Sequence, residues 1–280
     1  MLLFFTSQIV GLYLLNISIE SVQETEEGIT VTYSEPITGR PELEGQASFN
    51  YLVIMVLIGT ALLLLLIRFR LFKVWKAWFF FAIWGALSIS FSVFLKDTTA
   101  SIIAFLLAYL KTYKGNAIVH NLTEIFIYPG IAIMLSPIFT VYWAIMLLIV
   151  ISVYDMIAVW KSKHMVKMAK FQTESNMFAG LTIPKSGSLP KLSSKSKKVS
   201  TKASTDSVAI VGGGDIGFPL LFAGAAMAQF GFEKAFIIPI FAALGLAFLF
   251  YISKKGKFYP AMPFISVGCF IGYGIVYFLP

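Results

Sequence analysis

Charge is scarce in this sequence. Only 13% of its 280 residues are Asp, Glu, Lys or Arg, against roughly 25% in a soluble domain. Cysteine is nearly missing: Cys269 stands alone, so no internal disulfide forms and cysteine usage gives no redox compartment. The only histidines are His120 and His164. There is no His-Glu-x-x-His to hold a peptidase zinc and no Gly-x-Ser-x-Gly to carry a serine nucleophile. Apolar residues fill the space instead, at 58% of the chain, and they arrive in long blocks. No soluble core absorbs that much apolar surface, so the bilayer is the solvent. The net charge of +8 would suit nucleic acid. The positive residues, however, sit in loops between apolar blocks, where membrane orientation accounts for them, and no nucleic-acid partner is expected.

Nine apolar blocks run over 2–19, 50–67, 75–95, 98–110, 117–135, 137–160, 207–229, 233–252 and 258–279. Nearly all reach the roughly 20 residues a helix needs to cross about 30 Å of hydrocarbon, and 98–110 is the short one. The first has no positive n-region, and no small-residue cleavage site stands out after Ile19, so a retained helix is expected with a signal peptide as the alternative. The loops alternate in charge. Segment 20–48 sets seven glutamates against Arg40 alone. The next loop holds Arg68, Arg70, Lys73 and Lys76, and later ones Lys111 with Lys114, ten lysines within 161–206, and Lys254, Lys255 and Lys257. These basic loops contain 19 of the 22 Lys and Arg residues. Every second loop is basic, which places those loops in the cytoplasm.

The expected fold is therefore an all-α membrane protein, a polytopic bundle of nine transmembrane helices with a cytoplasmic N-terminus and an outside C-terminus. Residues 1–160 supply helices 1–6, residues 161–206 a flexible, Ser/Lys-rich cytoplasmic loop, and residues 207–280 helices 7–9. The chain is expected in the cell membrane, in contact with the lipid bilayer.

A charge in mid-membrane costs at least about 2.5–3.5 kcal/mol, so each needs a reason. The blocks contain Glu124, Asp155 and Asp215, with His120 near a helix end. Asp155 lies six residues before Lys161, about 9 Å from the inner end of helix 6 at 1.5 Å per residue. If helix 7 starts near Val208, Asp215 lies roughly 10 Å in. The two helices are sequential and antiparallel, so their aspartates match in depth near the cytoplasmic face. Two carboxyls sharing a site hold one proton between them. One can then take a proton from water while the other donates to a carbonyl oxygen. The plainer reading is that each aspartate caps a helix break or bonds a neighbouring helix.

The flanks carry further features. Gly212, Gly213 and Gly214 precede Asp215 and leave backbone exposed to a close-approaching strand; tight helix packing is the alternative. Tyr154 stands beside Asp155 and can hydrogen-bond within the site or simply pack. At the cytoplasmic start of helix 9, Pro260-Ala261-Met262-Pro263 removes backbone donors and favours an irregular start, with carbonyls free for an extended substrate. An ordinary helix start also tolerates proline. Glu124 lies one turn after His120 on the same face, a polar pair facing the bundle interior or a proton path towards the aspartates.

Tyr154-Asp155, Gly212-Gly213-Gly214-Asp215 and Pro260-Ala261-Met262 resemble the Tyr-Asp, Gly-x-Gly-Asp and Pro-Ala-Leu motifs of the presenilin and signal peptide peptidase family of intramembrane aspartyl proteases. Methionine replaces the leucine of the third motif, an apolar swap of similar volume. The compact chain resembles a microbial member of the family more than an animal presenilin. The resemblance implies that Asp155 and Asp215 are the catalytic pair and that peptide bonds within transmembrane helical substrates are hydrolysed without metal or other cofactor. Tyr154, Gly212, Gly213, Gly214, Pro260, Ala261 and Met262 would then line the substrate. No obligatory partner subunit is implied, and homo-oligomerisation is left open. The inferred orientation matches presenilins rather than the inverted signal peptide peptidases. The main rival is a proton- or ion-coupled transporter or channel using the same carboxylates, against which stand the lack of two-half symmetry and the off-centre aspartates.

Overall fold

The structure, a computed structural model, describes residues 1–25, 28–114, 117–161, 168, 171–172, 179–183, 209–253 and 258–279. Each of the nine apolar blocks contains a helix. These are α1 (Leu2–Ile17), α2 (Gln46–Arg68), α3 (Phe72–Ser92), α4 (Asp97–Tyr109), α5 (Ala117–Leu135), α6 (Val141–Met156), α7 (Gly213–Phe230), α8 (Phe232–Ile252, interrupted by a turn at Phe236) and α9 (Met262–Phe278). Among the described residues, five helices are long and apolar enough to cross a bilayer: α2, α3, α8, and α5 and α6 together with their C-terminal turns. α1 and α9 are as apolar but have 16 and 17 residues, and α4 has 13. α7 has 18 residues, but Asp215, Gln229, Pro219 and its glycines dilute its apolar character.

α7 is the hub. It packs against α1, α5, α6, α8 and α9, and from Pro219 to Met227 every residue is buried. A helix apolar all round belongs in the centre of a bundle. α8 and α9 form the closest helical pair, through Gly245, Gly268 and Gly272. A Cβ at Gly272 would lie 2.9 Å from the Ile238 Cα, and one at Gly268 would run into the Phe241 carbonyl. Small residues let helix backbones meet in this way where lipid offers no hydrophobic drive to pack.

Not all of the chain is helical. β1 (Ile19–Thr25) and β2 (Gly28–Tyr33) form an antiparallel hairpin in which Ile19 opposes Tyr33 and Thr25 opposes Gly28. Arg40 ties the following loop to the C-terminal end of α5, donating through Nη2 to the Ser34 carbonyl at 3.1 Å and the Ile133 carbonyl at 3.3 Å. A second pair, β3 (Gly180–Ile183) and β4 (Ala209–Gly212), runs antiparallel with Gly180 opposite Gly212. β3 lies inside the segment expected to be a flexible loop. Nine of that segment's ten lysines fall outside the described residues.

Two expectations are corrected. The block 207–229 does not begin as a helix: 209–212 is strand, and α7 starts at Gly213. Lys111 is not a loop charge. The π-helical turn Leu110–Lys114 that ends α4 carries it into the interior, where it is only 6% exposed.

Candidate active site

α6, α7 and α9 pack on one another and bring the three sequence motifs together. Asp155 sits in the last turn of α6, just before the helix widens into the π-helical turn Ile157–Lys161. Single π turns inside α-helices are frequent at functional sites. Its side chain is buried, with the residue 5% exposed. Oδ2 accepts the backbone N–H of Met262 at 3.1 Å, and the Ala261 amide also contributes. Met262 is the first residue of α9, where N–H groups have no carbonyl of their own helix to bond. Asp155 therefore occupies the positive end of α9.

Asp215 is the third residue of α7 and is 8% exposed. Its Oδ2 accepts the N–H of Gly212, the residue that caps the helix, at 3.2 Å. This is one half of a capping box. Asp155 is close enough to act on it electrostatically. The depth expected for Asp215 assumed seven helical residues before it. Four of the preceding residues are extended instead, at about 3.3 Å of rise each rather than 1.5 Å.

The glycines are spatially constrained. A Cβ on Gly213 would lie 2.9 Å from the Tyr128 hydroxyl oxygen, and one on Gly212 3.1 Å from Asp215 Oδ2. Gly214 is exposed. Pro260 is buried, Ala261 half-buried and Met262 buried at the mouth of α9. Tyr154 has its hydroxyl 2.9 Å from Thr60 Oγ1 on α2. A cavity of about 490 Å³ opens beside the glycine start of α7. Leu52 and Met55 of α2, Phe79 of α3 and Ile131 of α5 form part of its wall, with Gly213, Gly214 and Gly217 opposite.

Several residues went unread in the sequence. Ser152, one turn before Asp155, shares a buried hydrogen bond of 2.9 Å with Ser266, one turn after Met262. Gln8 on α1 donates to the Ile216 carbonyl at 2.8 Å. Glu124 has a stronger partner than the expected His120: Lys111 Nζ is 2.6 Å from Oε1, whereas His120 Nε2 is 3.9 Å away. An intramembrane glutamate signals that a partner exists, but nothing in the spacing identified Lys111.

The structure thus shows a helical protein with two buried aspartates where three helices meet, five of its described helices being long and apolar enough to cross a membrane. The family model for signal-peptide peptidase and presenilin aspartyl proteases matches residues 10–279. The chain belongs to that family. Its fold is similar to a presenilin family intramembrane aspartate protease solved in two crystal forms. One is 18% identical with a TM-score of 0.64, covering 99% of this chain and 95% of that one. The other is 16% identical with a TM-score of 0.62, covering 98% and 94%. No curated protein matches the sequence.

Proposed function

We propose that Asp155 and Asp215 form the catalytic dyad of an endopeptidase that cleaves transmembrane segments of other membrane proteins. One observation carries this reading: two buried carboxylates from different helices, each held by a backbone amide of the motif beside it. Between them they share one proton. Water attacks the scissile carbonyl carbon while the ionised carboxylate takes its proton and the protonated one donates to the carbonyl oxygen. Collapse of the tetrahedral diol breaks the C–N bond, and the nitrogen leaves with a proton. The dyad acts as a unit, so neither role belongs to one residue. No metal or cofactor enters the step.

All nine helices span the membrane in this reading, with α6 and α7 antiparallel and the dyad towards the cytoplasm. The cavity beside α2 receives the substrate. Its walls suit an apolar segment, and α2 is the least enclosed of the five long helices, with 17% of its apolar window buried, so lateral access from lipid passes beside it. The substrate helix must unwind locally to expose a peptide bond. Gly212–Gly214 then lets the extended strand approach, and Pro260-Ala261-Met262 borders it.

The test is cleavage of a transmembrane peptide by the purified protein reconstituted in vesicles, with Asp155→Ala and Asp215→Ala in parallel. Both variants are expected to fall to the uncatalysed background. Retained cleavage in either one refutes the dyad. Ion flux lost in the same variants, with no proteolysis in wild type, would favour a transporter.

A further inference from the structure

Next to the dyad lies a second cluster of buried ionisable groups that the proposed chemistry does not use. Lys111 Nζ donates to Glu124 Oε1 at 2.6 Å, to Thr123 Oγ1 at 3.1 Å and to the His120 carbonyl at 3.4 Å. All three ammonium protons have an acceptor. The side chains of Lys111 and Glu124 are each 2% exposed. The other carboxylate oxygen, Glu124 Oε2, accepts the hydroxyl of Tyr128. A buried ion pair is weak evidence of stabilisation, since well-packed apolar residues often replace one without loss. Its presence here calls for another role.

The cluster reaches the catalytic segment by two arms. Along the first, the Tyr128 hydroxyl oxygen packs against Gly213, so closely that a Cβ there would lie 2.9 Å away. Tyr128 is also within electrostatic range of Asp215. Along the second, His120 Nε2 lies 2.9 Å from the Gly180 carbonyl oxygen. Gly180 opposes Gly212 in the β3–β4 pair, and the Gly213 N–H donates to the Ala179 carbonyl at 3.2 Å. Both arms end on the short stretch whose Gly212 amide holds Asp215 Oδ2. Three successive glycines give that stretch wide conformational freedom, and a catalytic carboxylate needs support that removes it.

We infer that Lys111, Glu124 and Tyr128, with His120 as a second arm, are positioning residues that fix the Gly212–Asp215 segment in its reactive geometry. This rests on the dyad reading above. The ion pair orients the Glu124 carboxylate, the carboxylate orients the tyrosine hydroxyl, and the hydroxyl sets the floor on which Gly213 rests. None of the four takes part in the proton transfers proposed for the dyad. Glu124 and Tyr128 also line the cavity beside Gly213, so the reading specific to positioning is the rigidity of the Gly212–Asp215 segment.

The experiment uses the full chain in vesicles with a fluorogenic transmembrane peptide. Tyr128→Phe removes one oxygen and keeps the ring. The double variant Lys111→Met/Glu124→Leu removes both charges and keeps the volume. Both are expected to lower kcat at least tenfold. Amide hydrogen exchange over residues 209–216 is expected to speed up at least tenfold in both. If kcat and exchange both stay within twofold of wild type in Tyr128→Phe, the inference is wrong. It is equally wrong if the double variant unfolds while Tyr128→Phe keeps full turnover, because the cluster is then purely structural. Asp155→Ala separates the two readings: cleavage surviving in that variant removes the dyad, whereas exchange over 209–216 reports on the network regardless of activity.

Discussion

Two glycines of α9 should respond in opposite ways to the same substitution. Gly274→Ala adds a methyl group with nothing within 4 Å, so only helix propensity is felt, a gain of about 0.5–1 kcal/mol. Gly268→Ala adds the same methyl 2.8 Å from the Phe241 carbonyl carbon and 3.1 Å from the Ala242 Cα. Both are backbone atoms of α8, which cannot rotate aside as a side chain would. Overpacking of this kind costs about 1–3 kcal/mol, so after the propensity gain the net loss is about 0.5–2 kcal/mol. The damage should also reach chemistry. α9 begins at the Met262 N–H that Asp155 accepts, and pushing α9 away from α8 displaces that donor. Thermal unfolding in detergent and peptide cleavage, measured on both variants, check the pair. Gly274→Ala should match or slightly exceed wild type in stability with full activity, and Gly268→Ala should lose both. If the two variants shift in the same direction by the same amount, close backbone contact between α8 and α9 is not what the glycines provide.

Two further outcomes are expected. Ser152→Ala and Ser266→Ala each break the 2.9 Å bond between α6 and α9. Interhelical bonds in membranes average about 0.6 kcal/mol, so a double-mutant cycle on unfolding should return a coupling near that value, and strict additivity would contradict the bond. Burial pushes the Tyr33 hydroxyl up to about 12, against a smaller downward pull from Arg40. Because the folded value is raised, the stability tied to neutral Tyr33 is complete below the unfolded value of about 10 and is lost as pH rises through 12. The phenolate absorbance difference between wild type and Tyr33→Phe should rise with a midpoint near 12, and a midpoint near 10 would mean that Tyr33 is solvated.

Helix existence was legible because each helix is a long apolar block, a signal carried by many residues at once. Short elements gave no such redundancy. The run Ala209–Gly212 is apolar and continuous with α7, and four apolar residues read equally well as helix or strand. What makes it a strand is pairing with Gly180–Ile183, a partner nearly thirty residues away that no local window contains. The β1–β2 hairpin did carry a signal. Ile29, Val31 and Tyr33 alternate with Thr30 and Thr32, the period-two, β-branched pattern of a strand. The loop's glutamates, informative about topology, obscured it. The candidate site was legible to the extent that its residues carry unusual chemistry: aspartates in apolar blocks, a glycine triplet, two prolines at a helix start. Lys111 failed that test. A lysine at the end of an apolar block is what a loop boundary normally looks like, and only the π-helical turn after Tyr109 brings it inside.

Among the described residues, the candidate site is held by contacts across the chain rather than along the connection between α6 and α7. The contacts that build it run between two separate stretches of chain: Asp155 to Met262, Ser152 to Ser266, Gln8 to Ile216, Ser136 to Leu221, and β3 to β4. None of them depends on the peptide bonds that join the stretches between Ile183 and Ala209. The candidate centre is in effect a property of an interface, as in a heterodimer whose two subunits happen to be encoded in one reading frame. A single nick between Ile183 and Ala209 is therefore expected to leave peptide cleavage by the two associated fragments at the level of the intact chain, and lost cleavage after nicking would refute this.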